Sequence, residues 1–277
     1  MSHRPRFGRE YIRREFEHLS TELRTDVRTY LIGGGAMAFR NLKDATKDVD
    51  LVVRSPGECR RLLGVLDQLH YERLTDPGTE YDRLGARHCV ENDDGCRIDL
   101  FDRQVANKLY FSDGMADRSL VLLKTRHLRV GLAAPEDVFL FKSVAERPED
   151  VDDMATLVRT GLDFDVVESE IAAQVRLLGG ERFTTVVSES LEKLDERHGI
   201  QTPLDPVVDE YYGRYMRGLA LRMALDEDTP RPIAELASEL GLEEREIEAR
   251  AAYLERFGLA ERVAGGVLDT GRRDRFT

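Results

Sequence analysis

Between Tyr30 and Val53 the chain passes from an apolar run to three consecutive glycines, then to a short helical stretch, then to a run carrying two aspartates one residue apart. Tyr30-Leu31-Ile32 stops at Gly33-Gly34-Gly35, as a buried strand entering a tight turn does. Glycines there let backbone N–H groups approach an anion, and the helix N-terminus that follows adds partial positive charge. Asp48 and Asp50 flank Val49 ahead of Leu51-Val52-Val53. On a strand this spacing puts both carboxylates on one face, roughly 7 Å apart. Two carboxylates facing a phosphate-binding turn suit Mg²⁺ carried by a nucleoside triphosphate.

The other 250-odd residues limit what this unit can belong to. A length of 277 residues suggests two domains with room for a small third. No run of about 18 apolar residues occurs, so no membrane span is expected. The first ten residues are basic but lack an apolar h-region, which predicts no secretory signal and a cytoplasmic location. The formal charge is -12 and the pI near 5.1, with Lys only at positions 43, 47, 108, 124, 142 and 193. An acidic, Arg-rich, Lys-poor composition resembles proteins of salt-loving archaea or GC-rich bacteria, where salt screens self-repulsion. The acidity argues against broad electrostatic binding of nucleic acid and leaves room for a local basic site. Cys59, Cys89 and Cys96 read as free thiols. Neither they nor the six scattered histidines have zinc-site spacing.

Along the chain, residues 8–24 have the apolar spacing of an amphipathic helix. Residues 56–69 predict a helix opened by Pro56, with Leu62, Leu63, Leu66 and Leu69 as its buried stripe. Arg87–Glu91 and Cys96–Phe101 predict a hairpin turning at Asp94-Gly95. Its second strand places Asp99 between Ile98 and Leu100, a third carboxylate candidate beside Asp48 and Asp50. In the poorly patterned segment 103–134, Ser119–Leu123 and Leu128–Leu132 read as short strands. Helices are expected from Pro135 to Arg147, from Glu149 to Val158, and over 165–178, 182–197 and 206–225. A polar linker at 226–232 precedes helix, tight turn, helix and hairpin, an order that resembles a winged helix.

The motifs together resemble those of the DNA polymerase β-like, minimal-type nucleotidyltransferases. That superfamily's pattern is an apolar strand, Gly-Gly, about ten residues, then Asp-apolar-Asp, with a third acid on a later strand. The corresponding positions are Gly33-Gly34, Asp48-Val49-Asp50 and Ile98-Asp99-Leu100. Gly33-Gly34-Gly35-Ala36 and Thr46-Lys47-Asp48-Val49-Asp50 are similar to the bacterial and archaeal branch that includes abortive-infection toxins. Lys142, Arg147, Asp150 and Asp153 resemble that branch's downstream helical motif. The likeness covers roughly residues 28–158.

The resemblance implies an α/β (α+β) protein with a small mixed-sheet nucleotidyltransferase core at 28–134. An N-terminal helix at 1–27, a helical region at 135–225 and a winged-helix-like module at 226–277 complete the expected organisation. It also implies Mg²⁺- or Mn²⁺-dependent transfer of a nucleoside monophosphate from an NTP to a hydroxyl, with pyrophosphate released. Asp48, Asp50 and Asp99 are then the metal and catalytic residues. Gly33, Gly34 and Gly35 are the backbone contacts to phosphate, with Lys142 and Lys47 as phosphate-binding lysines. Arg147, Asp150 and Asp153 either support that site or form an ion-pair network docking the helical region. The implied acceptor is an RNA end, tRNA included, or a protein side chain, and an antitoxin is the implied partner of a toxin role. The alternative is a winged-helix DNA-binding regulator whose core senses a nucleotide or is inactive; the glutamates of 243–255 oppose it.

Overall fold

The structure is a computed structural model and describes residues 4–74 and 85–272. Two compact units divide it, residues 1–207 and 208–277.

The first unit is built on a mixed seven-stranded sheet. Its strands are β1 (Val27–Leu31), β2 (Asp48–Val53), β3 (Glu72–Arg73), β4 (His88–Glu91), β5 (Arg97–Asp102), β8 (Leu120–Lys124) and β9 (Leu128–Leu132), in the order β3-β4-β5-β2-β1-β9-β8. β1 runs antiparallel to β2 and parallel to β9, and β2 runs parallel to β5. The central strands are apolar runs: β5 is buried through its first five residues and β2 through its last three. That is the pattern of strands covered on both faces.

One face is covered by α1 (Arg9–Glu22), α2 (Gly33–Phe39) and α3 (Pro56–Gln68). α1 turns Ile12, Phe16 and Leu19 inward at helical spacing. α3 starts where the sequence places it: Pro56 follows Ser55, whose hydroxyl accepts the Glu58 N–H at 3.1 Å. Ahead of α1, Phe7 exchanges two backbone hydrogen bonds with Thr46, at 2.7 and 3.0 Å, which pins the N-terminal segment beside the entry to β2.

The opposite face meets the helical region. A two-stranded ribbon, β6 (Gln104–Val105) and β7 (Leu109–Tyr110), leads into α4 (Asp113–Arg118), capped by Ser112. Phe111 stacks between Tyr30 of β1 and Phe141 of α5 (Pro135–Ala145), with centroids 4.5 and 6.2 Å away. Four helices follow α4 in this unit: α5, α6 (Pro148–Arg159), α7 (Phe164–Leu178) and α8 (Phe183–His198). The α5 helix ends at Glu146 in the left-handed conformation, and Pro148 opens α6 one residue ahead of the expected Glu149. Buried Glu170 of α7 binds Arg118 and Ser112, while Arg118 also holds Asp137 of α5 at 2.9 and 3.0 Å, so α4, α5 and α7 share one satisfied polar cluster.

In the second unit, α9 (Asp205–Ala224, begun in the first), α10 (Ile233–Leu240) and α11 (Glu244–Arg256) precede the hairpin β10 (Ala260–Val263) and β11 (Gly266–Asp269). Leu221, Leu236, Ile247, Ala251, Leu254 and Val267 form its own core. Gly241 ends α10 with φ near +66°, and Arg231 joins Val267 through one antiparallel bridge. Among the described residues no helix is long and apolar enough to cross a membrane.

Candidate active site

The parallel pairing of β2 with β5 decides where the acids meet. Its register sets Asp50 directly opposite Asp99. Directly paired residues point to the same face, and Asp48, two residues earlier, joins them. This face also carries Tyr30, since Tyr30 pairs with Val52.

Asp99 is fully buried, and no hydrogen bond of ordinary geometry reaches either carboxylate oxygen among the described residues. Burial, then the charges of Asp50 and Asp48, push its carboxyl well above the usual range; the Cys89 thiol opposite it on β4 and Arg97 only partly counter this. Asp50 is partly accessible. Burial and then Asp48 raise its carboxyl too, against the pull of Arg147 and Lys142. Two neighbouring carboxylates that are both costly to ionise, one of them fully buried, are a donor set suited to a hard divalent cation. Asp48 faces a different neighbour. Its Oδ1 lies 2.8 Å from the guanidinium of Arg4, held there by the Phe7–Thr46 bridge. Among the described residues no three ligand-type groups already stand as a metal cluster.

The glycines have separate physical reasons. Gly33 adopts φ near +60°, and a Cβ there would collide with the Asp50 carboxylate. Any other residue would be strained and would displace a site acid. A Cβ at Gly34 would stand 2.6 Å from the Thr46 hydroxyl, and one at Gly35 would stand 2.8 Å from Leu31 Cδ1. The Ile32 N–H donates to the Asp50 carbonyl at 3.0 Å, tying the start of α2 to β2. The first-turn N–H groups of α2 have no intrahelical acceptor.

The second set of expected residues also comes together. Lys142 is buried on α5, and its Nζ lies 2.6 Å from Asp150 Oδ1 and 2.7 Å from Asp153 Oδ2. Arg147 holds Asp150 through Nε at 2.8 Å and a terminal nitrogen at 3.0 Å. Lys43, from the loop after α2, reaches both Asp153 oxygens at 2.7 Å. Burial alone would lower the Lys142 ammonium, but Asp150 and Asp153 outweigh it and its pKa is raised. Burial would raise the Asp150 carboxyl, yet Lys142 and Arg147 hold it below its ordinary value. Three cations thus share two carboxylates, and the surplus positive charge acts on Asp50. Lys47 is exposed before β2 and stands outside this network.

Sequence reasoning did not find Arg4 or Lys43 as site neighbours. Their partners lie 44 and 110 residues away, and no local motif marks either. Arg4 belonged to a run of N-terminal arginines read as a basic end.

A strand–glycine-turn–helix–strand unit and three acids thus share one face of the mixed sheet. By sequence, the family described as nucleotidyltransferase of unknown function (DUF6036) matches residues 11–187, more than half of the chain, and the protein belongs to that family. The match runs from α1 into α8, so it covers the sheet, the three acids and the Lys142 network. No curated protein matches the chain.

Proposed function

We propose that the first unit transfers a nucleoside monophosphate from an NTP to an acceptor hydroxyl and releases pyrophosphate. The observation that carries this reading is the pairing of buried Asp99 with Asp50 across β2 and β5, beside the Gly33 turn. Asp48, Asp50 and Asp99 are the residues that would hold Mg²⁺ or Mn²⁺. A divalent cation there supplies neutralisation of phosphate charge and acidification of the attacking hydroxyl. The protein's part is to aim the acids, to offer the first-turn N–H groups of Gly33, Gly34 and Gly35 to the phosphates, and to exclude competing ligands. In its ionised form Asp99, a stronger base than an exposed carboxylate because its pKa is raised, would take up the proton of the acceptor hydroxyl. Lys142, with two of its three N–H donors committed to Asp150 and Asp153, acts as a positioning residue. It fixes α5 and α6 behind Asp50 and biases that carboxylate towards its charged form. Exposed Lys47 is left as a phosphate contact from the solvent side.

The acceptor is a hydroxyl of RNA or of protein, and a toxin restrained by an antitoxin is the physiological setting the family resemblance suggests. A winged-helix regulator is the weaker reading. In the second unit Arg217, Arg231, Arg245 and Arg262 each pair with a glutamate of the same unit, which lessens the positive charge they offer to phosphates.

The test is incubation with each α-labelled NTP, Mg²⁺ or Mn²⁺, and total RNA or lysate. Label transferred to an acceptor by the native protein, and reduced at least about 10³-fold in Asp50→Asn and in Asp99→Asn, is expected. Absence of transfer with every NTP, or transfer undiminished in both variants, overturns the reading.

A further inference from the structure

At the far end of the same sheet lies a cleft of about 340 Å³, bordered by the starts of β1 and β9, the end of β8 and the entry to α3. The strand register puts three cations side by side there. Arg28 of β1 pairs with Arg129 of β9, and Arg129 pairs with Lys124 of β8. Directly paired residues share a face, and neighbouring strands are about 4.8 Å apart. Like charges so placed destabilise a sheet. All three side chains are exposed, and Arg126 of the intervening turn adds a fourth cation.

The acids nearby, Asp26 and Glu58, are fewer than the cations and offset this charge only in part. Asp26 is bound to His127 at 2.9 Å. Glu58 accepts the backbone N–H of Arg28 and the Ser55 hydroxyl. Among the described residues, no carboxylate pairs with the side chains of Arg28, Lys124, Arg126 or Arg129. In a chain of net charge -12, a row of like charges that lacks full internal compensation points to an anion from outside.

The row also has a defined relation to the carboxylates. Arg28, Tyr30 and Ile32 alternate onto one face of β1, and Ile32 stands level with Asp50. Arg28 therefore lies on the acids' face, four residues or about 13 Å along the strand. Phe111, packed on Tyr30, roofs the sheet between them. A single nucleotide, whose phosphates are contiguous, cannot place phosphate at both ends across that roof. A chain with repeating phosphates can: about four stacked nucleotides at ~3.4 Å each cover the distance.

We propose that the Arg28–Arg129–Lys124 row is a phosphate-binding subsite for a single-stranded polynucleotide, and that this polynucleotide is the acceptor whose end reaches Asp50 and Asp99. The second clause rests on the nucleotidyl-transfer reading; the first stands without it. Binding is read by fluorescence anisotropy of a labelled 12-nucleotide RNA against the full chain carrying Asp50→Asn and Asp99→Asn, without metal, as a function of salt. The triple substitution Arg28→Gln, Lys124→Gln, Arg129→Gln removes the repulsion, so its melting temperature is expected to be unchanged or higher. Its RNA affinity is expected to fall at least about tenfold, with the log–log salt slope reduced by about 2, for three contacts at ~0.7 each. Inorganic phosphate at equal phosphate concentration is expected to compete poorly.

RNA affinity and slope unchanged in the triple variant overturn the subsite. So does a variant that loses only inorganic phosphate or free NTP, which assigns the row to a small anion. Transfer to a protein acceptor at the native rate in the triple variant overturns the acceptor assignment and leaves nucleotidyl transfer standing. RNA binding lost in the triple variant, with no NTP supporting transfer in the native protein, upholds the row and sinks the enzyme reading.

Discussion

At the scale of the residue, the chemistry rests on two carboxyls that the fold makes hard to ionise. Asp50 and Asp99 have folded-state pKa values raised above the ordinary ~4 of an exposed aspartate, by burial first, and next by Asp48 acting on Asp50 and by Asp50 and Asp48 acting on Asp99. The folded protein therefore holds protons that the unfolded chain has released. Their contribution to stability is complete below about pH 4 and is lost as pH rises through the raised folded values. In metal-free buffer the native protein is expected to lose melting temperature between pH 5 and pH 8, and Asp99→Asn to lose less. Added Mg²⁺ is expected to raise the native melting temperature most at the upper end of that range. A denaturation series by calorimetry checks all three; a native protein as pH-insensitive as the Asn variant contradicts them. The three acids were legible because each sits in its own local strand pattern. That Asp99 faces Asp50, with Cys89 behind it, was not legible, because parallel pairing of β2 with β5 joins segments nearly fifty residues apart. Arg4 and Lys43 escaped for the same reason.

Among the elements, α5 and α6 act as one piece because Lys142 bridges Asp150 and Asp153. Removing the buried ammonium leaves two carboxylates with one cation each. Lys142→Met is expected to destabilise the protein by about 3 kcal/mol. Lys43, about a third exposed, reaches the same Asp153, and Lys43→Met is expected to cost about 1 kcal/mol or less. Urea titrations of both variants check the ranking, and equal losses refute it. Most elements could be read from pattern alone: α3 from its Pro56 start and leucine stripe, the β4–β5 hairpin from Asp94-Gly95, where Gly95 does take φ near +79°. The stretch after Asp102 resisted. Its two-residue strands are too short to show alternation, and their turn uses left-handed Ala106 and Asn107, of which alanine gives no signal. Ser112 ahead of α4 was a readable cap, overlooked because only six helical residues follow it.

At the scale of the molecule, the two units are built on different principles. The first gathers acids at one place and cations at another on one sheet; the second pairs Arg217, Arg231, Arg245 and Arg262 with its own glutamates and closes a small core around Leu236, Ile247 and Leu254. A fragment of residues 205–272 is expected to fold alone, with a cooperative thermal transition by circular dichroism. It is expected to show no duplex-DNA binding at ~0.15 M salt beyond a nonspecific Kd of about 10⁻⁴ M or weaker. Tight, sequence-selective binding would revive the regulator reading. Arg4 has a consequence of its own for anyone measuring ions on this protein. The Phe7–Thr46 bridge leashes a guanidinium to Asp48, so an incoming cation competes with a resident one whose local concentration never dilutes. A leader tag or a clipped start that frees this leash changes the apparent ion affinity while every carboxylate stays in place. Titrations made with different N-terminal ends therefore report different molecules.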